Sequence, residues 1–312
     1  MIRYLRHADI DESKWNECVS HSANGLVYAY SWYLDIVCPG WEALVEDDYI
    51  SILPLPMAKK YGYTYTYPPL FTQQLGVFSK QELHEEKIKE FISAIPPNYR
   101  YIEMHLNEQN IFHSRTFETR ELITYTLDLN RPYAEIAASY STQTKRNLKK
   151  ALSSSLTIVQ TPRPEKIIKL FRDNRGLQHE LPFAFYTVLE RLTEVLISKG
   201  TVTPIGVNDK NNEMCAGAFF VKSKNRHIFL FSGANQNAYD SQAVTLLLTN
   251  YIEEHAGNPI LFDFEGSMDK DLARFYSGFG STKSTFLMIR KNTLPTPVKW
   301  VKEMQYKRKS AT

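Results

Sequence analysis

Alternating and helical apolar patterns run along the whole chain and are clearest in its second half. Residues 202–207, 214–221 and 226–232 are short segments rich in β-branched and aromatic side chains, separated by polar turns at 208–212 and 224–225. That pattern predicts three strands joined by hairpin-type loops. A helix over about 242–255 follows, with Val244, Leu247, Leu248, Tyr251 and Ile252 on one stripe and Gly257 and Pro259 ending it. The apolar run from Pro259 closes on Asp263 and Glu265 and turns at Gly266. Next comes a short helix with Leu272, Phe275 and Tyr276 at helical spacing, stopped by Gly278 and Gly280, then a strand at 285–290.

The first half repeats this order of elements. Residues 41–46, 49–55 and 63–67 predict a meander. A helix over about 81–95 carries Leu83, Ile88, Phe91, Ile92 and Ile95 on one face, and Pro96-Pro97 forbids its continuation. Strands at 99–106 and 123–129 follow. Two similar α/β domains are therefore expected, each a mixed twisted sheet flanked by helices, over 1–130 and 131–298. The second opens with helices at 133–140 and 142–152, a strand at 156–161, and helices at 164–174 and 183–198.

A chain of 312 residues with 43% hydrophobic content can fill such cores. The formal net charge is +3, but residues 299–312 alone carry five basic side chains against Glu303. The body is then close to −1, unlike a dedicated nucleic-acid binder, and the basic tail at 299–312 reads as a solvated, frayed terminus. Three cysteines without a CxxC pair argue against a disulfide framework, and Cys215 reads as a small buried hydrophobe. No stretch reaches the roughly 20 apolar residues of a membrane span, and the N-terminus lacks a signal-peptide core, so a cytoplasmic protein without a transmembrane segment is expected.

The candidate chemistry gathers at the carboxyl end of the 259–265 strand, where open α/β sheets bind ligands. A cleft is expected between this strand and that at 229–232, with Ser232, Gly233, Gly266 and Ser267 at its mouth as substrate- or phosphate-binding residues. Asp263 and Glu265 alternate with Phe262 and Phe264 and so share one face of the strand. Two carboxylates in a cleft raise one pKa and make a base for an amine, whereas pairing with Arg274 or Lys270 would make one of them structural. Lys145, Arg146, Lys149 and Lys150 form one broad helical face, either solvated or phosphate-binding, with Lys145 and Arg146 foremost. His179 reads as an exposed imidazole. The tyrosines of 61–71 fit a peptide or nucleoside groove, or an edge strand with surface rings. No metal-ligand spacing, GxSxG elbow or P-loop is present.

This order of elements resembles the GNAT acyltransferase fold. Ala273-Arg-Phe-Tyr-Ser-Gly-Phe-Gly280 is similar to that superfamily's late helix, whose tyrosine acts as general acid toward the leaving thiolate, and this implies a catalytic Tyr276. The doubling, with Ser141-Thr-Gln-Thr-Lys-Arg-Asn-Leu-Lys-Lys-Ala151 and Asp263-Phe-Glu-Gly-Ser267, resembles the FemAB-like group. Those are tandem GNAT proteins that move amino acids from aminoacyl-tRNA onto cell-wall precursors. The resemblance implies an N-acyl or aminoacyl transferase with its cleft in the second domain. Its donor would be acetyl-CoA, another acyl-CoA or aminoacyl-tRNA, and its acceptor a small-molecule or peptide amine. One departure bears on the donor. Where acetyl-CoA enzymes carry a glycine-rich pyrophosphate loop, this chain reads Gln236-Asn-Ala-Tyr-Asp-Ser241. Tyr239 and Ser241 replace the glycines, Asp240 repels phosphate, and Asp240 and Ser241 suit helix N-caps. That weakens acetyl-CoA and fits the FemAB-like branch. An acyl-CoA-dependent N-acetyltransferase and a non-catalytic binding protein of the same fold are the alternatives.

Overall fold

A computed structural model of the chain describes residues 1–266 and 268–311. In chain order it begins with β1 (Ile2–Leu5), α1 (Glu12–His21), α2 (Ser31–Val37), β2 (Glu42–Glu46), β3 (Ser51–Leu55), β4 (Met57–Lys60) and β5 (Tyr63–Thr66). Then come β6 (Phe78–Ser79), α3 (Glu85–Ser93), β7 (Tyr99–His105), β8 (Glu118–Asp128), α4 (Tyr133–Ala138), α5 (Thr142–Leu152) and β9 (Thr157–Gln160). The next elements are α6 (Pro164–Phe171), α7 (Phe183–Ser198), β10 (Val202–Asn208), β11 (Met214–Ser223), β12 (Arg226–Ala234) and α8 (Gln236–Ser241). The chain finishes with α9 (Ala243–His255), β13 (Leu261–Asp263), α10 (Lys270–Ser277), β14 (Thr282–Asn292) and α11 (Thr296–Ala311).

Two compact units emerge, one of residues 1–122 with 286–312 and one of residues 123–285. Their limits fall inside β8 and β14, which differs from the expected 1–130 and 131–298. Period-two alternation shows which face of a strand is apolar but not which unit receives it. Residues 286–292 return to the first unit, where β14 pairs antiparallel with β7, Met288 opposite His105 and Asn292 opposite Tyr101. The expected frayed tail is instead helical in α11. Glu303 accepts hydrogen bonds from Arg290 Nη1 at 2.8 Å and Asn292 Nδ2 at 2.7 Å, and the Arg290 guanidinium lies 3.9 Å from the Tyr306 ring.

In the first unit, β1, β2, β3 and β6 form an antiparallel sheet, while β4 and β5 form a hairpin whose second strand pairs in parallel with β7. The meander expected over 41–67 therefore breaks between β3 and β4. Pro56 stands at the break, and without an N–H it cannot continue a ladder. The α3 stripe of Ile88, Phe91 and Ile92 is buried with Leu44, Leu53, Met104 and Ile289 in one core.

In the second unit the strand order is β8-β13-β12-β11-β10-β9, antiparallel except for the parallel pair β12 and β13. Tyr251 of α9 stacks on Phe220 of β11, ring centroids 3.7 Å apart, covering one face of the sheet. On the other face α6 comes close enough that a Cβ at Gly233 would lie 2.4 Å from the Ile167 carbonyl oxygen. Cys18, Cys38 and Cys215 are free and buried. Among the described residues no helix is long and apolar enough to cross a membrane.

Candidate active site

The parallel pair β12 and β13 stays in register only from Arg226 opposite Leu261 to Ile228 opposite Asp263. Just beyond, β12 carries an extra residue relative to β11: Phe220 faces Phe229 and Phe219 faces Phe231, leaving Leu230 over. Such a bulge bends its strand and ends regular pairing. Between the parted ends lies a cavity of about 420 Å³, a size suited to a small ligand or one arm of a larger one. Its walls are residues 229–232 of β12, Phe264, Glu265 and Gly266 after β13, and Leu272, Phe275 and Tyr276 of α10. Tyr239, Gln242 and Thr245 close it from the α8–α9 side, and Phe171 and Arg175 from the end of α6 and the turn after it.

α10 exists because Asp269 caps it, accepting from the Asp271 and Leu272 amides at 2.8 and 3.1 Å. About two turns later the helix delivers Tyr276 into the wall. Its ring stacks on Phe264 at 5.2 Å, and the side chain is nearly buried. Burial, and then the nearby Glu265 carboxylate, hold its hydroxyl above the usual phenol value, while the Arg175 guanidinium opposes them. The group is thus protonated across the neutral range.

Glu265 also lines the cavity, but strand alternation does not put it there. Its φ is +56°, and Gly266 follows at +43°, so two successive left-handed residues turn the chain out of β13. A glutamate in that region costs on the order of 1–3 kcal/mol, a strain typical of functional sites. Gly266 has no alternative: a Cβ there would sit 2.2 Å from the Ile123 carbonyl oxygen. Its role is to let the turn pass close to β8.

Asp263 departs from the expected pair of cleft carboxylates. It is buried away from the cavity lining, and its Oδ2 takes Arg226 Nε at 2.8 Å and Nη2 at 2.6 Å. Its Oδ1 accepts from the Thr124 hydroxyl at 2.7 Å and the Glu265 amide at 2.8 Å. With both oxygens engaged it anchors the Glu265 turn. The partner is Arg226, not Arg274 or Lys270.

Ser232 lines the cavity. Gly233 instead makes room for the α6 backbone, and Ser267 lies outside the described residues. Lys145 and Arg146 are exposed on α5 and are not part of the lining; the Lys145 ammonium donates to the Ala138 carbonyl at 2.8 Å. His179 is exposed. The segment 236–241 is the helix α8, capped by the Asn235 side chain on the Ala238 amide at 3.1 Å, so Asp240 and Ser241 are not N-caps. Asp240 accepts from Gln236 Nε2 at 3.1 Å, and the Ser241 hydroxyl donates to the Asn237 carbonyl at 2.6 Å.

Arg175 is the charged residue of the lining that the sequence reading did not assign. It sits in a π-helical turn, Arg172–Gly176, that continues α6, and such turns often mark functional sites. Phe229 and Phe231 belong to the strand expected to wall the cleft, whereas Phe171, at the end of an amphipathic helix, carried no signal of its own.

No family model matches the chain, and no curated protein matches its sequence. Among solved structures it is similar to FemX, with a TM-score of 0.66 and 12% identity over 94% of this chain and 98% of FemX. It is also similar to the C-terminal domain of a candidate lysylphosphatidylglycerol synthetase from Agrobacterium fabrum, with a TM-score of 0.55 and 9% identity over 93% and 94% of the two chains. L-PGS from Bacillus licheniformis gives 0.54 and 10% over 93% and 95%. At such identities the likeness shows the fold alone, and that α/β fold, shared with FemX, is the one the FemAB-like resemblance led us to expect.

Proposed function

We propose that this protein is an N-acyl or N-aminoacyl transferase whose chemistry takes place in the second-unit cavity. The observation that carries the reading is the meeting of Glu265 and Tyr276 on one wall, at the parted ends of β12 and β13. The acceptor amine, on a small molecule or peptide, attacks the acyl carbonyl and passes its proton to the Glu265 carboxylate. As the new C–N bond forms and the bond to the leaving atom breaks, the Tyr276 hydroxyl supplies the proton that the leaving atom needs. Arg175 offers a guanidinium at the same cavity for an anionic part of the donor.

Two features favour an oxygen-ester donor, such as aminoacyl-tRNA, over an acyl-CoA. A phenol held above its usual pKa near 10 matches an alkoxide, which leaves poorly without a proton, better than a thiolate, whose conjugate acid has a pKa near 8.5. In the segment before α9, three backbone amides are also engaged within the chain and are not open to a pyrophosphate. The Ala238 and Tyr239 amides bond to Asn235, and the Gln242 amide to the Tyr239 carbonyl.

The test is transfer to a panel of amines, followed by mass spectrometry, from an aminoacyl-tRNA pool and from acetyl-CoA in parallel. Aminoacyl transfer that falls roughly 100-fold in Glu265→Gln supports the reading. Efficient transfer from acetyl-CoA alone overturns the donor assignment. No transfer from either, with a ligand still held in the cavity, returns the protein to a binding role.

A further inference from the structure

The tyrosines after β4 are not used by the chemistry above, and they meet α11 within the first unit. A groove of about 240 Å³ opens there, lined by Tyr61, Tyr65, Tyr101, Val301, Lys60 and Lys302 among others. The Lys302 ammonium lies 4.6 Å from the centre of the Tyr101 ring and 5.5 Å from that of Tyr65. Lys60 lies 5.3 Å from the Tyr61 ring. Around this groove large apolar side chains stand in solvent: Tyr61 is 80% exposed, Trp300 68%, Val301 48% and Met304 41%.

Single exposed apolar residues are ordinary, but four on adjoining elements beside lysines are not. Trp300 and Met304 are four residues apart in α11, and Val301 is three before Met304, so all three share one face. The face is fixed outward because Glu303 and Tyr306 hold the helix to Arg290 from another side. Over residues 299–312 the sequence adds five basic side chains against one acidic, which is complementary to an anionic surface. Tryptophan and tyrosine beside lysine and arginine suit the boundary between headgroups and acyl chains, where a ring has an apolar body and a polar edge.

We propose that this face docks on an anionic phospholipid bilayer, with Trp300, Met304 and Tyr61 among the headgroups and Lys60 and Lys302 on lipid phosphates. The inference stands apart from the transferase reading, since it uses none of the cavity residues.

Vesicle flotation of the full chain tests it, comparing phosphatidylcholine alone with vesicles of roughly one-third phosphatidylglycerol. Binding to the anionic vesicles should be stronger by roughly tenfold and should weaken with salt. Trp300→Ser with Met304→Ser should lower it by about the same factor while the melting temperature holds. Of the other three tryptophans Trp15 and Trp41 are buried and Trp32 half-buried, so a lipid-induced blue shift of tryptophan emission that is present in Trp32→Phe but disappears in Trp300→Phe, with binding retained, supports insertion of this ring. Binding without preference for anionic lipid, or binding indifferent to the double serine variant, overturns the proposal. So does loss of tRNA binding in that variant while vesicle binding is intact, which would make the face a nucleic-acid surface.

Discussion

Removing the Asp263 carboxylate separates an anchoring role from a catalytic one. Asp263 is 1% exposed and the Arg226 side chain 13%, so Asp263→Ala breaks an ion pair held in the interior. Breaking a buried pair in this way costs about 3–5 kcal/mol. The Thr124 hydroxyl and the Glu265 amide also lose their acceptor, although water entering the space left by the side chain offsets part of that loss. A unit of this size shifts by about 2–4 °C per kcal/mol, so its melting temperature should fall by roughly 6–20 °C. Calorimetry on the full chain measures this, and Arg226→Ala alone and in combination completes a double-mutant cycle. The double variant should be less unstable than the sum of the singles, by about 0.5–3 kcal/mol. Turnover measured well below the transition should also fall, because the Glu265 turn has lost its tether. Wild-type melting with lost turnover would refute the argument and put Asp263 back into the chemistry. Strictly additive single variants would refute the pairing with Arg226.

Three further expectations follow from the same geometry. Tyr276→Phe keeps the ring on Phe264 and removes only the hydroxyl, so turnover should drop by roughly 100-fold with a melting shift of no more than about 2–4 °C; unchanged turnover would remove its proton-donating role. Gly266→Ala forces a Cβ to within 2.3 Å of Thr124 Cα, and circular dichroism should show a second unit destabilised by about 4 kcal/mol or more; a wild-type melt would show that the turn can move aside. Burial, and then the neighbouring His255 and Lys222, press the His227 imidazole down to about 4. Its folded value lies below the unfolded one near 6.5, so the stability contributed by the neutral ring is complete above pH 6.5 and is lost as pH falls toward 4. In urea titrations across that window His227→Gln should lose about 2–3 kcal/mol less than the wild type, and parallel stability curves would contradict the assignment.

The place of the candidate site could be read from sequence because the apolar run of β13 ends in Asp-Phe-Glu-Gly and a short helix with Tyr276 returns at once. The helices α5, α7 and α9 were legible from their apolar stripes and breakers for the same local reason. What alternation could not show was direction after the strand ended. Asp263 still obeys the strand and points into the interior, but Glu265 has already entered the left-handed region and faces the cavity. Nor could a local pattern show that Arg226, at the start of a neighbouring strand, would neutralise Asp263. The basic face of α5 was visible as a face, whereas its absence from the cavity depends on tertiary packing. Arg175 was hidden for another reason, since a π-helical turn has no periodicity to mark it at the end of an amphipathic helix.

The interrupted layout of the first unit has a consequence for the order of events during synthesis. Domains generally fold as units while the chain emerges. Residues 123–285 are contiguous, so the second unit has all its strands before β14 is complete. The first unit, although translated first, must wait for residues 286–292, and until then β7 has an unoccupied edge where β14 will pair. That edge carries Ile102 and Met104, both buried in the finished protein. An unpaired apolar strand edge is a template for pairing with another chain. The amino-terminal part of this protein is therefore the last to mature. Stalled or shortened chains that stop near residue 285 should aggregate through their oldest segment, with their newest one already folded.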